Sequence, residues 1–353
     1  MWTNFVSQNK ECIEKIIWKH YLDDQEVFRM CQLNRSTHSG LNPYDSYVVK
    51  QSIDLGKMMK IKSIDKFIFK KGINIQYPHF TYIKIGSYSH SYLKYLKRFN
   101  SIRTVDFYYP FTHMGKIRRG TFPSSLTRLY MPPKFEKDLF IGLFPPSLIN
   151  LTLSEVFNLP IRINILPQSI RYLNVGYCFN QIIEKDILPG SLNSLIFGEN
   201  FNKPISIGIL PNSIRYLVFG SKFNQILLPN VLPTHLEILK FSFWSDFNQP
   251  IVLPLALKTL EFGYEFNQSL EIGSLPDSLQ SLKFGPHYSH ILQPKVLPSN
   301  LTYLQVAAGF DMSILLRPDV VPLTIKKIVW GIRTFNSIQE LKISIINEQV
   351  SEF

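Results

Sequence analysis

The sequence has 353 residues, 45% of them hydrophobic and 18% charged, and a formal net charge of +12. This much apolar surface offsets the entropy of ordering, which excludes global disorder. No apolar run approaches the ~18 residues of a membrane-spanning helix, and residues 1–10 lack the apolar core of a secretory signal. Three scattered cysteines are too few for a disulfide framework or a zinc cluster. We therefore expect a soluble cytoplasmic chain that has no contact with a membrane.

The charge is unevenly distributed along the chain. Residues 1–120 contain 20 Lys and Arg against 9 Asp and Glu, whereas residues 121–353 contain 18 against 17. A basic segment can bind an acidic partner or nucleic acid. The lysines from Lys57 to Lys71 follow no nucleic-acid-binding motif, so a solvated face is the favoured interpretation. We do not expect nucleic acid to be a partner.

The first 55 residues have the spacing of helices, because apolar side chains recur three or four positions apart from Ile13 to Tyr21. Residues 10–35 resemble an F-box, the helical module that docks substrate receptors onto cullin-type ubiquitin ligases, but lack its usual opening Leu-Pro. The resemblance implies that a ligase adaptor would contact four apolar side chains of this segment. These are Ile16, Ile17, Tyr21 and Leu22. The alternative is a helical cap that only shields the first coil of the following repeats.

From about residue 78 onward, an apolar segment recurs with a period close to 22 residues. Its first position falls at Phe80, Ile102, Leu126, Leu148, Ile170, Leu192, Ile214, Leu236, Leu257, Leu279, Leu301 and Ile325. A typical copy is Ile214–Gly220 (IRYLVFG), in which the apolar alternation predicts a short β-strand. One strand cannot bury its own apolar face, so neighbouring coils must stack. Segments 64–69 and 338–343 look like imperfect coils at the two ends.

A Phe-Asn pair recurs with nearly the same period of about 22 residues. The six pairs are Phe157 and Asn158, Phe179 and Asn180, Phe201 and Asn202, Phe223 and Asn224, Phe247 and Asn248, and Phe266 and Asn267. The register predicts a spine of stacked phenylalanines and a ladder of asparagine amides that satisfy backbone groups in the turns.

The strings Phe247–Ile251 (FNQPI), 201–205 (FNKPI) and 266–270 (FNQSL) resemble the FNIP repeat. That family is similar to leucine-rich repeats and is found chiefly in social amoebae and in giant viruses of amoebae. The resemblance covers 122–330 and implies a leucine-rich-repeat-like solenoid with a stacked parallel β-sheet. FNIP proteins often carry an F-box before the repeats, and a viral member would act in the cytoplasm of the host.

Four segments follow from these patterns. They are a helical module at 1–55, irregular N-terminal coils at 56–121, FNIP-type repeats at 122–330 and a C-terminal cap at 331–353. A cap is expected because the terminal coil of a solenoid needs polar or helical cover.

The sequence contains no arrangement of residues that would support catalysis. No His-Glu-x-x-His, phosphate-binding Gly-rich loop or nucleophile motif is present. His287 and His290 have the spacing of metal ligands on a helix, but they fall at the position of the Phe-Asn-Gln turn. We therefore expect no enzyme activity, no cofactor and no catalytic or metal-binding residue.

The outward strand positions vary from coil to coil, unlike the core positions. Arg and Tyr among them are residue types that protein interfaces favour. The candidates for binding a protein target are Arg171, Tyr172, Asn193, Arg215, Tyr216, Lys240, Lys258 and Tyr303. The sequence thus predicts an interaction protein, in the first instance a substrate receptor of a cullin-type ubiquitin ligase. The alternative is a repeat scaffold or decoy protein with no link to ubiquitin ligases.

Overall fold

A computed structural model describes residues 53–54, 81–85, 93, 96–97, 100–107 and 117–351. The predicted helices of the N-terminal module, the adaptor-binding candidates Ile16, Ile17, Tyr21 and Leu22, and the imperfect coil at 64–69 lie outside these residues. Backbone contacts divide the chain into two units, 1–127 and 128–353.

Among its described residues, the first unit has three short strands that pair in parallel. They are β1 (Ile53–Asp54), β2 (Tyr82–Ile85) and β3 (Thr104–Phe107). Strand β2 pairs with both neighbours, and Tyr82 lies opposite Thr104, one period further along the chain. Val105 and Phe107 are buried, as the alternating pattern requires.

The second unit adds one parallel strand with each coil. Its strands are β4 (Arg128–Tyr130), β5 (Asn150–Thr152), β6 (Tyr172–Asn174), β7 (Ser194–Ile196), β8 (Tyr216–Phe219), β9 (Ile238–Phe241), β10 (Thr259–Glu261), β11 (Ser281–Lys283), β12 (Tyr303–Val306) and β13 (Lys327–Trp330). Equivalent positions lie opposite each other, as in the series Tyr172, Ser194 and Tyr216. The predicted solenoid of stacked coils of about 22 residues is confirmed.

Each strand is fixed by an apolar residue before it and another at its centre. In β7 these are Leu192 and Leu195, both fully buried. The N–H of Leu192 donates to the carbonyl of Pro189, closing a tight turn before the strand. A proline at this point does not interrupt the sheet, since the position lies outside the ladder.

The six phenylalanines of the Phe-Asn pairs are at most 1% exposed and lie in one column. Successive rings are nearly parallel, with centroids 6.0 to 6.2 Å apart from Phe157 to Phe266. A second column comes from the inward Phe at the end of the five strands β7 to β11 and runs from Phe197 to Phe284. Phe197 stacks on Phe201 at 4.0 Å and on Phe219 at 5.3 Å, so the two columns interlock. From Phe201 to Phe266, each spine ring is therefore held by a ring of its own coil and by rings of the adjoining coils.

The asparagines of the pairs join one coil to the next. The Asn202 Oδ1 atom accepts the N–H of Asn224 at 3.1 Å and the Nε2 atom of Gln225 at 2.8 Å. The same backbone bond recurs at every step from Asn158 to Asn267, at 2.8 to 3.1 Å. Each side chain thus satisfies a backbone N–H in the following coil.

A glycine lets consecutive turns approach closely after several strands. A Cβ atom on Gly198 would lie 1.8 Å from the carbonyl oxygen of Gly176, which has a φ of +88°. No side chain fits in that space, so Gly198 is required by contact and Gly176 also by conformation.

The C-terminal segment differs from the repeat. A 3₁₀ turn (Met312–Ile314) precedes β13, and β14 (Arg333–Phe335) pairs antiparallel with β13. Residues Ile338–Ser351 form helix α1, so the imperfect coil predicted at 338–343 is wrong. The Glu340 N–H donates to the Ser337 Oγ atom at 3.1 Å, and this N-cap begins the helix directly after β14.

We expect Asn202→Ala to lower the free energy of unfolding by about 1–3 kcal/mol, because Asn224 N–H and Gln225 Nε2 lose a shared acceptor. Asn200→Ala is the matched control, since the Asn200 side chain makes no hydrogen bond with the described residues. Urea denaturation measures both. Equal effects from the two substitutions would contradict the role given to the amide.

Tyr288 takes the place of a spine phenylalanine, stacked 6.2 Å from Phe266 and from Phe310. Its ring is buried, and no described residue hydrogen-bonds its hydroxyl. Burial raises the pKa of this phenol above its ordinary value.

Tyr288→Phe should therefore stabilise the protein by about 1–3 kcal/mol, since an unsatisfied hydroxyl leaves the core. The raised pKa means that the unfolded state releases this proton first, above about pH 10. The stability of the wild type should fall above that pH, and the advantage of Tyr288→Phe should grow. Thermal melts from pH 7 to above pH 10 test both points; an advantage that shrinks with pH would contradict the argument.

Candidate functional site

The outward side chains of the second unit form one continuous surface. We define the sheet face as the first and third positions of β4 to β13, with the exposed position before each strand from β5 onward. In β6 these are Tyr172, Asn174 and Arg171, while Leu173 between them is buried. A side chain in one coil thus lies beside its equivalents in the coils on either side.

All eight candidate target-binding residues lie on the sheet face. Tyr172, Tyr216 and Tyr303 occupy the first strand position, Lys240 the third, and Arg171, Asn193, Arg215 and Lys258 the position before the strand. The structure brings two of them together through a residue that was not among the candidates, Glu237.

Glu237 bridges two of the predicted cations. Its carboxylate lies 3.4 Å from Arg215 Nη1 in the preceding coil and 2.8 Å from Lys258 Nζ in the following one. The hydrogen bond from Lys258 is the main reason why the pKa of Glu237 is lowered. The three side chains carry one net positive charge.

A second bridge occupies the third strand position. Glu261 lies 2.8 Å from Lys240 Nζ and 3.7 Å from Lys283 Nζ, again one coil to either side. The hydrogen bond to Glu261 raises the pKa of Lys240. Lys240 and Lys258 are therefore each paired with a carboxylate from a neighbouring coil, Glu261 and Glu237 respectively.

The three candidate tyrosines of the sheet face, Tyr172, Tyr216 and Tyr303, are half-buried. Burial raises the pKa of Tyr172, against a smaller opposing effect from its hydrogen bond with Asn174. The Tyr303 hydroxyl donates to Gln305 Oε1 at 2.8 Å, and Lys327 Nζ lies 6.0 Å from the centre of the Tyr303 ring. Ring faces, hydroxyls and cations are the groups that bind protein side chains.

An exposed aromatic cluster lies at the turns that follow the strands. Phe243 and Trp244 are 60% and 64% exposed, with ring centroids 4.8 Å apart, and Trp244 lies 5.2 Å from Tyr264. The spacing from Phe223 to Phe247 is 24 residues instead of 22, and the longer turn carries the cluster. That irregular step is the signal by which the sequence could have revealed it.

His287 and His290, which have the sequence spacing of metal ligands on a helix, contact different groups. His287 Nδ1 lies 3.0 Å from Glu265 Oε2, and His290 Nε2 lies 3.1 Å from the carbonyl oxygen of Asn267. Among the described residues, no group of three or more His, Cys, Asp or Glu side chains could hold a metal ion. The described part of the chain likewise contains no helix long and apolar enough to cross a bilayer.

Comparison with known proteins agrees with this geometry. The FNIP Repeat family matches residues 135–178, 157–200, 179–222, 201–243 and 247–287, so this part of the chain is built from FNIP repeats. The predicted FNIP resemblance is confirmed there. The structure defines the class, a leucine-rich-repeat-like solenoid. None of the curated proteins matches the sequence.

Among solved structures, the chain is similar to CroV588, whose structure is described as a novel circular LRR protein structure. The two share 31% identity with a TM-score of 0.59, and the match covers 72% of this chain but only 40% of CroV588. A leucine-rich repeat protein from Bacteroides ovatus shows 14% identity over 71% of this chain and 55% of its own, with a TM-score of 0.18 that supports no inference.

We expect Glu261→Gln to lower the pKa of Lys240, since the amide no longer stabilises its charged form. Loss of the bridge should cost about 0.2–1 kcal/mol of stability, as these side chains are partly exposed. NMR titration of the lysine Nζ resonances gives the pKa. Glu271→Gln, on an exposed turn, is the control, and an unchanged Lys240 pKa in Glu261→Gln would contradict the pairing.

Proposed function

We propose that this chain binds a protein target through the sheet face. The observation that carries the proposal is the continuity of that face: ten parallel strands present tyrosine, arginine and lysine side chains side by side. The core beneath is interlocked, so the backbone of the face needs no further ordering when a partner binds, which lowers the entropic cost of binding. Repeat solenoids commonly bind proteins on such extended surfaces.

The specific role we propose is that of a substrate receptor of a cullin-type ubiquitin ligase. Residues 10–35 would bind the ligase adaptor through their F-box-like helices, and the sheet face would hold the substrate in the cytoplasm. The support is the resemblance of that segment to an F-box and its position before FNIP repeats. The alternative is a scaffold or decoy that uses the same face without a ligase.

A first experiment tests the face. Tyr172→Ala with Tyr216→Ala should weaken target capture by tenfold or more, because tyrosine is enriched among the few interface residues whose truncation costs over about 1 kcal/mol. Tyr177→Ala is the matched control, since Tyr177 lies in a turn and is 55% exposed. Affinity capture followed by quantitative mass spectrometry compares the variants. Equal loss in the control, or no loss in the double variant, would place the target elsewhere.

A second experiment tests the ligase link. Ile17→Asp with Leu22→Asp introduces charges that a dry helical interface cannot accommodate, so binding of the adaptor should be lost. The thermal melt of the repeats should not change, because each coil is stabilised by its neighbours. Ile207→Asp with Ile226→Asp is the matched control, as both side chains are about 60% exposed in the repeats.

The outcomes separate the alternatives. Adaptor binding lost with an unchanged melt supports the receptor. If the repeats unfold, the segment is a cap and the scaffold is favoured. If the variant folds and still binds the adaptor, residues 10–35 are not an F-box.

A further inference from the structure

The second unit is almost neutral in sequence but strongly polarised in structure. Residues 128–353 contain 18 Lys and Arg and 17 Asp and Glu. The sheet face holds eight of the cations and only two of the carboxylates. They are Arg128, Arg171, Arg215, Lys240, Lys258, Lys283, Lys326 and Lys327, with Glu237 and Glu261. The face therefore carries a formal charge of +6, and the rest of the unit a charge of −5.

The cations are spread along the whole face. In its middle, Glu237 and Glu261 each lie between two cations and neutralise one of them. At the two ends, Arg128, Arg171, Lys326 and Lys327 have no carboxylate of a described residue within ion-pair distance.

This arrangement leaves positive charge uncompensated in a specific place. Neighbouring strands are about 4.8 Å apart, so like charges on this face repel each other over short distances. The two bridging carboxylates relieve the repulsion only in the middle of the face. A partner with carboxylates at its surface would relieve the repulsion that is left at the two ends. Such a partner would be attracted to the sheet face and repelled by the other, acidic surfaces of the unit.

The chemistry of the face favours an acidic protein over nucleic acid. Nucleic-acid grooves track the phosphate backbone with positive charge, whereas here Glu237 and Glu261 stand in the middle of the path. Beside them, Val218 and Ile238 are partly exposed at outward positions of β8 and β9, and the rings of Tyr172 and Tyr216 are half-buried. Apolar side chains of a polypeptide fit that strip, and a sugar-phosphate backbone does not.

We propose that the partner of the sheet face is an acidic segment of a protein, in which carboxylates alternate with apolar side chains. This inference rests on the proposed function, since it names the chemistry of the target that the face would bind. The carboxylates of the segment would lie against the four end cations and against Arg215 and Lys283, the outermost cations of the two bridges. Its apolar side chains would lie against Val218 and Ile238.

The test measures binding of a labelled peptide in which Glu alternates with Leu, by fluorescence anisotropy with the full chain. A Gln-for-Glu version of the peptide and an oligothymidylate of equal charge serve as the other probes. Arg128→Glu with Arg171→Glu alters the face. Arg162→Glu with Lys185→Glu makes the same change of net charge on exposed turns and is the matched control. Arg171→Gln with Lys326→Gln repeats the test by neutralisation, should charge reversal impair folding.

The expected result is that the wild type and the control bind the Glu peptide alike, and that the face variant binds about tenfold or more weakly. Binding should weaken as salt rises and should be lost with the Gln peptide. Equal affinities of the face variant and the control would overturn the inference. Tighter binding of oligothymidylate would overturn it in favour of nucleic acid.

Sedimentation measures whether the chain associates with itself. If the wild type self-associates, the face variant does not, and neither binds the peptide, the occupant of the face is a second copy of this chain and the inference is overturned. The target-capture experiment with Tyr172→Ala and Tyr216→Ala keeps the two proposals apart. If capture still depends on those tyrosines while the acidic peptide fails, only the chemistry assigned to the partner is wrong. If both fail, the recognition function of the face is wrong as well.

Discussion

The contact between one coil and the next is the constraint on which the rest of this protein depends. A coil has no core of its own: its phenylalanine stacks on that of the next coil, and its asparagine accepts the N–H one coil further on. The repeat length can vary only where neither contact is disturbed. The step from Phe247 to Phe266 is 19 residues, yet the Asn267 N–H still reaches Asn248 Oδ1 at 2.9 Å.

Because the inward side chains make this contact, differences in charge between coils lie at outward positions and in turns, and inward differences such as Tyr288 keep the stacking. The long turn that carries Phe243 and Trp244 leaves the spine unbroken, since Phe223 and Phe247 remain 6.0 Å apart. Because inward and outward positions are distinct in every coil, charged residues can also collect on one side of the unit without entering the core. The outward side chains can therefore change from coil to coil at little cost in stability.

The carboxylates of the sheet face show how such a charged surface is tolerated. Glu237 and Glu261 lie in neighbouring coils, but Glu237 precedes its strand and Glu261 is the third residue of its strand. The two carboxylates are therefore not side by side, and each contacts cations in the coils on both sides. Four long side chains are thereby held in place. A surface that is already ordered loses less entropy on binding, which suits it to recognition more than an array of free lysines would be.

The period, the strand positions and the FNIP repeats could be read from the sequence, because they depend on residues recurring at a fixed spacing and need no knowledge of distant contacts. Glu237 and Glu261 were visible only as variable outward residues. Their bridging role depends on which side chains lie one coil to either side, and the polarity of the face depends on sorting charges between two sides of the unit. Helix α1 was missed because a Ser337 cap decided between helix and strand in an apolar pattern that fits both. Local spacing thus determined the solenoid, and only contacts between coils decided the chemistry of its surface.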